Sequence, residues 1–171
     1  MMGNLAEQRA HWVSAETVAW DIAHEEGNQY FFHYSTTGAS FALGFEGIEG
    51  GDMVELMVNE GGIGEDAAAK FPHLAGYTAL TLPDDFRART ALKGQLAVSA
   101  VNGEGELLNA TGLQIPGVLD DLYQYEGELG VSFEEEGPVV RVWAPTARSV
   151  RFHLFPDATG DSALVEPMRV D

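Results

Sequence analysis

Residues 95–111, QLAVSAVNGEGELLNAT, predict a β-hairpin. Two strand-type runs, 95–101 and 106–111, flank the turn residues Asn102 and Gly103. Asn-Gly between two apolar runs is a strong signal for a tight hairpin turn. A lone hairpin is marginally stable, so further strands must cover its apolar face. This stretch therefore predicts a mainly β fold.

Short runs of the same type lie on both sides of the hairpin, separated by many of the 20 glycines. Apolar residues that alternate or cluster are typical of strands in this setting. Such runs predict strands at residues 18–22, 30–35, 40–45, 53–58 and 77–82. Alanine content, carboxylates in the first turn and a terminal glycine predict short helices at residues 65–71, 84–92 and 117–123. The sequence thus predicts an immunoglobulin-like β-sandwich with short helices.

The sequence pattern changes after residue 124: from there on, turn residues recur at intervals of roughly ten residues. The pattern predicts strands at residues 129–133, 139–143, 150–155 and 163–170. This region has fewer than half of the ~100 residues that a complete sandwich of this type needs. We therefore predict one domain over 1–124 and, over 125–171, the first strands of a second β-sandwich that form a partial sheet with an open edge.

Composition excludes several classes of function. The chain of 171 residues has 27 acidic and 9 basic residues, with a net charge of -18. Nucleic acids and anionic membrane surfaces require basic patches, so neither is an expected partner. Without cysteine, disulfides and thiolate metal sites are excluded. No run approaches the ~20 apolar residues of a membrane span, and no signal-type segment is present, so a secreted or cell-surface location and a cytoplasmic one both remain open.

Catalytic residues cannot be assigned from these motifs. The five histidines show no spacing typical of metal ligands, and no serine lies in a GxSxG turn. Twenty-seven acids provide too many pairs to single out a glycosidase dyad. We predict no catalytic residue, no resident metal and no cofactor. Calcium is retained only as a weaker alternative, with ligands between Glu46 and Asp52.

Aromatic side chains provide the binding candidates, since flat rings stack on sugar faces. Trp20 and Trp143 follow apolar strand runs, and we predict that both pack in cores, with glucan contact as the alternative for Trp143. Trp12 and Tyr34 are the weak candidates for carbohydrate binding.

Several runs together resemble the N-terminal region of pullulanases and plant limit dextrinases, in glycoside hydrolase family 13. The runs are AHWV at 10–13, TVAW at 17–20, FPHLAGY at 71–77, LPDD at 82–85, LKGQL at 92–96 and GVLDDLY at 117–123. LGV at 129–131 and RVWAPTA at 141–147 resemble the start of a carbohydrate-binding module of family 48. Residues 44–64 match no such motif.

The resemblance implies a non-catalytic N-terminal portion of a starch- and glycogen-debranching enzyme, serving domain packing and glucan binding. The parent enzyme would hydrolyse α-1,6 branch points with two carboxylates in a downstream barrel. Its implied partners are that catalytic domain and α-glucans such as starch, glycogen and pullulan. The alternative is a free-standing immunoglobulin-like interaction or adhesion module.

Overall fold

The computed structural model describes residues 3–37, 41–44, 47–161 and 163–170. The chain forms two compact units, Met1–Tyr125 and Glu126–Asp171. No helix in the described residues is both long and apolar enough to cross a membrane.

The fold is mainly β, as predicted. The strands of the first unit are β1 (Ala10–Trp12), β2 (Thr17–Trp20), β3 (Gln29–Ser35), β4 (Ala42–Leu43), β5 (Ile48–Glu49), β6 (Asp52–Val58), β7 (Thr78–Thr81), β8 (Gln95–Val101) and β9 (Leu107–Gln114). Its helices are α1 (Glu65–Lys70), α2 (Ala88–Ala91) and α3 (Pro116–Tyr123), with a 3₁₀ turn at Pro72–Leu74. The hairpin that the sequence predicts is the β8–β9 pair.

Seven strands of the first unit close into a barrel-like sandwich in the order β1-β2-β7-β6-β3-β8-β9. The neighbours β6-β3-β8-β9 make one face, and β9-β1-β2-β7-β6 make the other. All pairs are antiparallel except β1 with β9, which run parallel and close the ring. This closure joins a strand near residue 10 to one near residue 113, so no local pattern predicts it.

Large aromatic rings fill the space between the two faces. Trp12, Trp20, Tyr30 and Phe32 are fully buried. The Trp12 and Phe32 ring centroids lie 4.9 Å apart in an edge-to-face arrangement, which aromatic pairs favour. The prediction that Trp20 packs in a core is confirmed.

Two local predictions in the first unit need correction. The helix expected to start at Asp84 begins only at Ala88, because residues 83–86 form a turn in which Phe86 N–H donates to Pro83 O. That turn places the Phe86 ring against Trp12 and Phe32 in the core, and this packing outweighs the local helix signal. The strand expected over 40–45 is only Ala42–Leu43 in the described residues; positions 40 and 45 lie outside them.

The second unit contains two separate hairpins instead of one partial sheet. The strands β10 (Gly130–Glu134) and β11 (Gly137–Arg141) pair with each other, as do β12 (Arg151–Leu154) and β13 (Leu164–Pro167). None of the described residues from 126 to 170 is fully buried. Most residues of β10, β12 and β13 are exposed, whereas most residues of β11 are half-buried.

Candidate functional site

A pocket of about 150 Å³ opens on the surface of the first unit. Its walls come from β1, the 3₁₀ turn with the residue before it, the end of β9 and the start of α3. The lining residues are His11, Trp12, Val13, Phe71, His73, Leu74, Gln114, Pro116 and Gly117. These residues come from segments separated by as many as 106 positions, and the barrel closure brings them together.

The parallel pairing of β1 with β9 places His11 directly beside Gln114. Gln114 Nε2 lies 3.4 Å from His11 Nε2 and donates a hydrogen bond of 2.9 Å to the Gln8 carbonyl. Since that amide is anchored on the backbone, the Gln114 side chain is held at the pocket wall. The amide oxygen of the same side chain is a hydrogen-bond acceptor.

The rings of His11 and His73 both line the pocket and pack edge-to-face against each other. Their ring centroids are 5.9 Å apart at an interplanar angle of 74°. Tyr77 lies 6.0 Å from His11, and Phe71 lies 6.5 Å from His73, both in edge-to-face arrangements. Burial and, to a lesser degree, the neighbouring His73 lower the pKa of His11, which favours its neutral imidazole. The two imidazoles and Phe71 line the pocket, whereas Tyr77 contacts His11 without lining it.

Tight packing fixes α3 against β1 at the pocket floor. A Cβ atom on Gly117 would lie 2.7 Å from the Val13 carbonyl oxygen, so only glycine allows the helix to approach this closely. Asp121 Oδ2 accepts a hydrogen bond of 2.7 Å from Ala15 N–H, and Asp120 pairs with Lys70 at 2.9 Å. The adjacent carboxylates of this helix are therefore structural contacts, as the sequence reading of a helical segment implied.

Neither of the two predicted sugar-contact residues, Trp12 and Tyr34, presents an accessible ring to this pocket. Trp12 borders it, but the side chain is fully buried between Phe32 and Phe86, so no sugar ring can stack on the indole. Its assignment as a carbohydrate contact is therefore corrected. Tyr34 is half-buried at 5.4 Å from the Phe86 ring and does not line the pocket; a sugar contact there stays a prediction.

Trp143 was expected to pack in a core, and this prediction is wrong. The side chain follows the end of β11 and is 43% exposed. The described residues of the second unit include no fully buried side chain that could form a core around this ring. A glucan contact by this ring stays a prediction.

The calcium alternative at residues 46–52 remains a prediction, because Glu46 lies outside the described residues. Within the described part of the chain, no three histidine, aspartate or glutamate side chains lie close enough to hold a metal ion together.

Another histidine, His33 of β3, is buried in the first unit. His33 Nε2 lies 2.8 Å from Ser99 Oγ, and the His33 ring packs 6.4 Å from Phe41. Burial lowers the pKa of His33 to about 4. A nucleophilic serine requires access to substrate, but Ser99 and His33 are both buried. The pair is therefore a structural contact in this sheet.

Sequence reasoning did not identify His11, His73 and Gln114 as one site. The histidines stand 62 positions apart and show no ligand spacing. One signal was available: His11 lies in the AHWV run and His73 in the FPHLAGY run, both of which carry the family resemblance. Their convergence depends on the barrel closure, which the sequence pattern does not predict.

Fold and pocket together define a barrel-like β-sandwich domain with a surface pocket that no acidic, lysine or arginine side chain lines. Residues 7–121 match the family described as the Pullulanase N2 domain. The chain belongs to the pullulanase N2 domain family, which confirms the resemblance found in the sequence.

Named relatives agree with this assignment. The chain is 40% identical over 152 residues to Pullulanase 1, chloroplastic, from Arabidopsis thaliana, and 32% identical over 151 residues to pullulanase from Klebsiella pneumoniae. These matches cover 88% and 85% of this chain. The chain spans only 16% and 13% of the length of these two relatives.

Solved structures show the same fold. The maltotriose complex of PulA from Klebsiella pneumoniae aligns with a TM-score of 0.84 and 30% identity, covering 98% of this chain and 18% of that one. PulA from Klebsiella oxytoca aligns with a TM-score of 0.83 and 30% identity, covering 99% of this chain and 16% of that one.

Proposed function

We propose that this chain is the non-catalytic N-terminal part of an enzyme that hydrolyses α-1,6-glucosidic branch points in starch, glycogen or pullulan. Two observations support the proposal: the chain belongs to the family, and it spans only a small part of the length of its relatives. The chain matches proteins named pullulanases at up to 40% identity, yet spans at most 16% of their length. The hydrolytic carboxylates then lie in the remainder of the parent protein, with which this domain packs. Family membership favours this function over a free-standing adhesion module.

The second unit supports the same proposal. Its RVWAPTA run resembles a carbohydrate-binding module of family 48. We infer that residues 126–170 provide the first strands of such a module. In the intact enzyme, later strands would cover the apolar side chains that are exposed here, including Phe133 and Leu164.

The test compares the 171-residue chain with the protein encoded by the complete reading frame, each incubated with pullulan. We expect reducing sugar from the complete protein and none from the chain above a heat-killed control. Hydrolysis by the chain alone would overturn the non-catalytic assignment. Failure of the complete protein to cleave pullulan, starch or glycogen would overturn the debranching assignment.

A further inference from the structure

We propose that the pocket between His11, His73 and Gln114 is a contact site for a glucose unit of an α-glucan chain. This inference rests on the proposed function and assigns it a place on the first unit. The site is separate from hydrolysis, because no carboxylate lines the pocket. Its role is to hold a substrate chain.

Charge indicates a neutral ligand. The chain carries 27 acidic residues, but no acidic, lysine or arginine side chain lines the pocket. An anion would be repelled by the net charge of -18. A cation would find no carboxylate among the lining residues to neutralise it. An uncharged ligand with many hydrogen-bonding groups fits this environment.

The lining side chains match the chemistry of a sugar. A neutral imidazole offers one donor and one acceptor, and the Gln114 amide adds an acceptor oxygen, which suits adjacent hydroxyl groups that both donate and accept. Phe71 provides a half-buried ring beside His73, against which the C–H groups of a pyranose can pack. Polar and aromatic contacts therefore converge on one opening.

Pocket size sets the expected affinity. At about 150 Å³ the pocket is smaller than the ~300–1,000 Å³ of sites that enclose a whole drug-sized ligand. It therefore contacts a single sugar unit and leaves the rest of the chain in solvent. Few contacts against the entropic cost of association give an expected Kd on the order of 1 mM for a short oligosaccharide.

The experiment is a titration of the full 171-residue chain with maltotriose, observed through the imidazole resonances. With five histidines, each signal can be assigned by single substitution. We expect saturable shifts at His11 and His73 up to about 50 mM maltotriose. His33, which is buried, and His153, which lies in the second unit, should not move. Absence of saturable shifts at His11 and His73 would overturn the proposal.

Two variants separate the pocket from the rest of the surface. His73→Ala removes an exposed side chain from a 3₁₀ turn, so the fold should persist, and we expect maltotriose binding to weaken about fivefold or more. His153→Ala, also at an exposed histidine, is the matched control and should bind as the unmodified chain does. Equal binding by the His73→Ala variant would place the sugar elsewhere.

Other ligands test the assignment of the ligand class. Cellotriose, with β-1,4 links, should shift the two histidines less than maltotriose does; an equal response would overturn the α-glucan assignment. Zn²⁺ is the competing ligand, because paired imidazoles bind it. Shifts at His11 and His73 with Zn²⁺ but none with maltotriose would overturn the sugar site. Pullulan hydrolysis by the complete protein is measured independently, so failure of the pocket assignment leaves the debranching assignment standing.

Discussion

The two units of this chain differ in what happens to their apolar residues. In the first unit, seven strands close on themselves and bury aromatic rings such as Trp20 and Phe32 between two faces. In the second, two hairpins carry comparable residues, but Phe133 is 83% exposed and none of the described residues is fully buried. Strand-forming side chains therefore do not make a core by themselves; a second layer must cover them.

Among the substitutions that compare the two units, Trp20→Ala should have the largest effect on the free energy of unfolding. The side chain is fully buried against Tyr30, with ring centroids 6.4 Å apart. Its truncation should lower the free energy of unfolding of the first unit by about 3–5 kcal/mol, because it removes a large ring and leaves a cavity. Urea denaturation followed by fluorescence measures the change. A loss below about 1 kcal/mol would contradict a core centred on these rings.

A pH-dependent loss of stability at His33 comes next. The folded-state pKa is lowered to about 4, below the ordinary value of 6.5, so the unfolded chain binds the proton more readily. The stabilising effect of a neutral His33 is complete above pH 6.5 and falls as the pH drops toward 4. By pH 4.5 the loss from this residue should be about 2–3 kcal/mol.

His33→Gln is the control for this prediction, since an amide can bond to Ser99 but does not titrate. Carboxylates titrate in both proteins, so subtracting one stability–pH curve from the other isolates His33. Parallel curves between pH 7 and pH 4.5 would show that His33 is protonated as readily in the fold as in the unfolded chain.

Substitution of Gly117 tests the packing of the pocket floor. Gly117→Ala forces a Cβ to within 3.0 Å of the backbone of β1 and the residue after it, and should destabilise the first unit by about 1–3 kcal/mol. Gly76→Ala is the matched control, because nothing lies within 4 Å of the added atom. Thermal melts of both variants compare their stabilities. Equal melting temperatures would rule out close contact between α3 and β1.

The smallest effect is expected in the second unit. A ring that is 43% exposed buries only part of its surface, so Trp143→Ala should lower the free energy of unfolding by about 1–2 kcal/mol, less than Trp20→Ala does. A fully buried ring at this position would instead give a loss of ~3–5 kcal/mol in the free energy of unfolding. A melt of the variant beside the unmodified chain provides the measurement. A loss near that of Trp20→Ala would reveal a core in the second unit.

Local elements were predictable from the sequence. The β8–β9 hairpin follows from Asn102–Gly103 between apolar runs, and α3 follows from the side chains of residues 117–123. Elements that depend on distant contacts were not. Because Phe86 packs in the core, α2 begins at Ala88 and not at residue 84. β1 exists as a strand because it pairs with β2 and β9.

The candidate site also depends on contacts between residues that are distant in the sequence. Its histidines, His11 and His73, and Gln114 were visible as residues, but only closure of the barrel places them together. Trp12 illustrates the opposite error: an aromatic ring judged by its chemistry alone was assigned to sugar binding, whereas its neighbours in the fold bury it. Residue type indicates what a side chain can do, and long-range packing determines whether a ligand can reach it.

Amide hydrogen exchange on the intact chain tests most directly the claim that the core is confined to the first unit. Protection in β3 and β8 should reach the global free energy of unfolding, since both strands are paired on each side within the barrel. Amides of β10–β13 should open at a cost of only about 0–2 kcal/mol, because each hairpin stands alone. Equal protection in the two units would contradict the account.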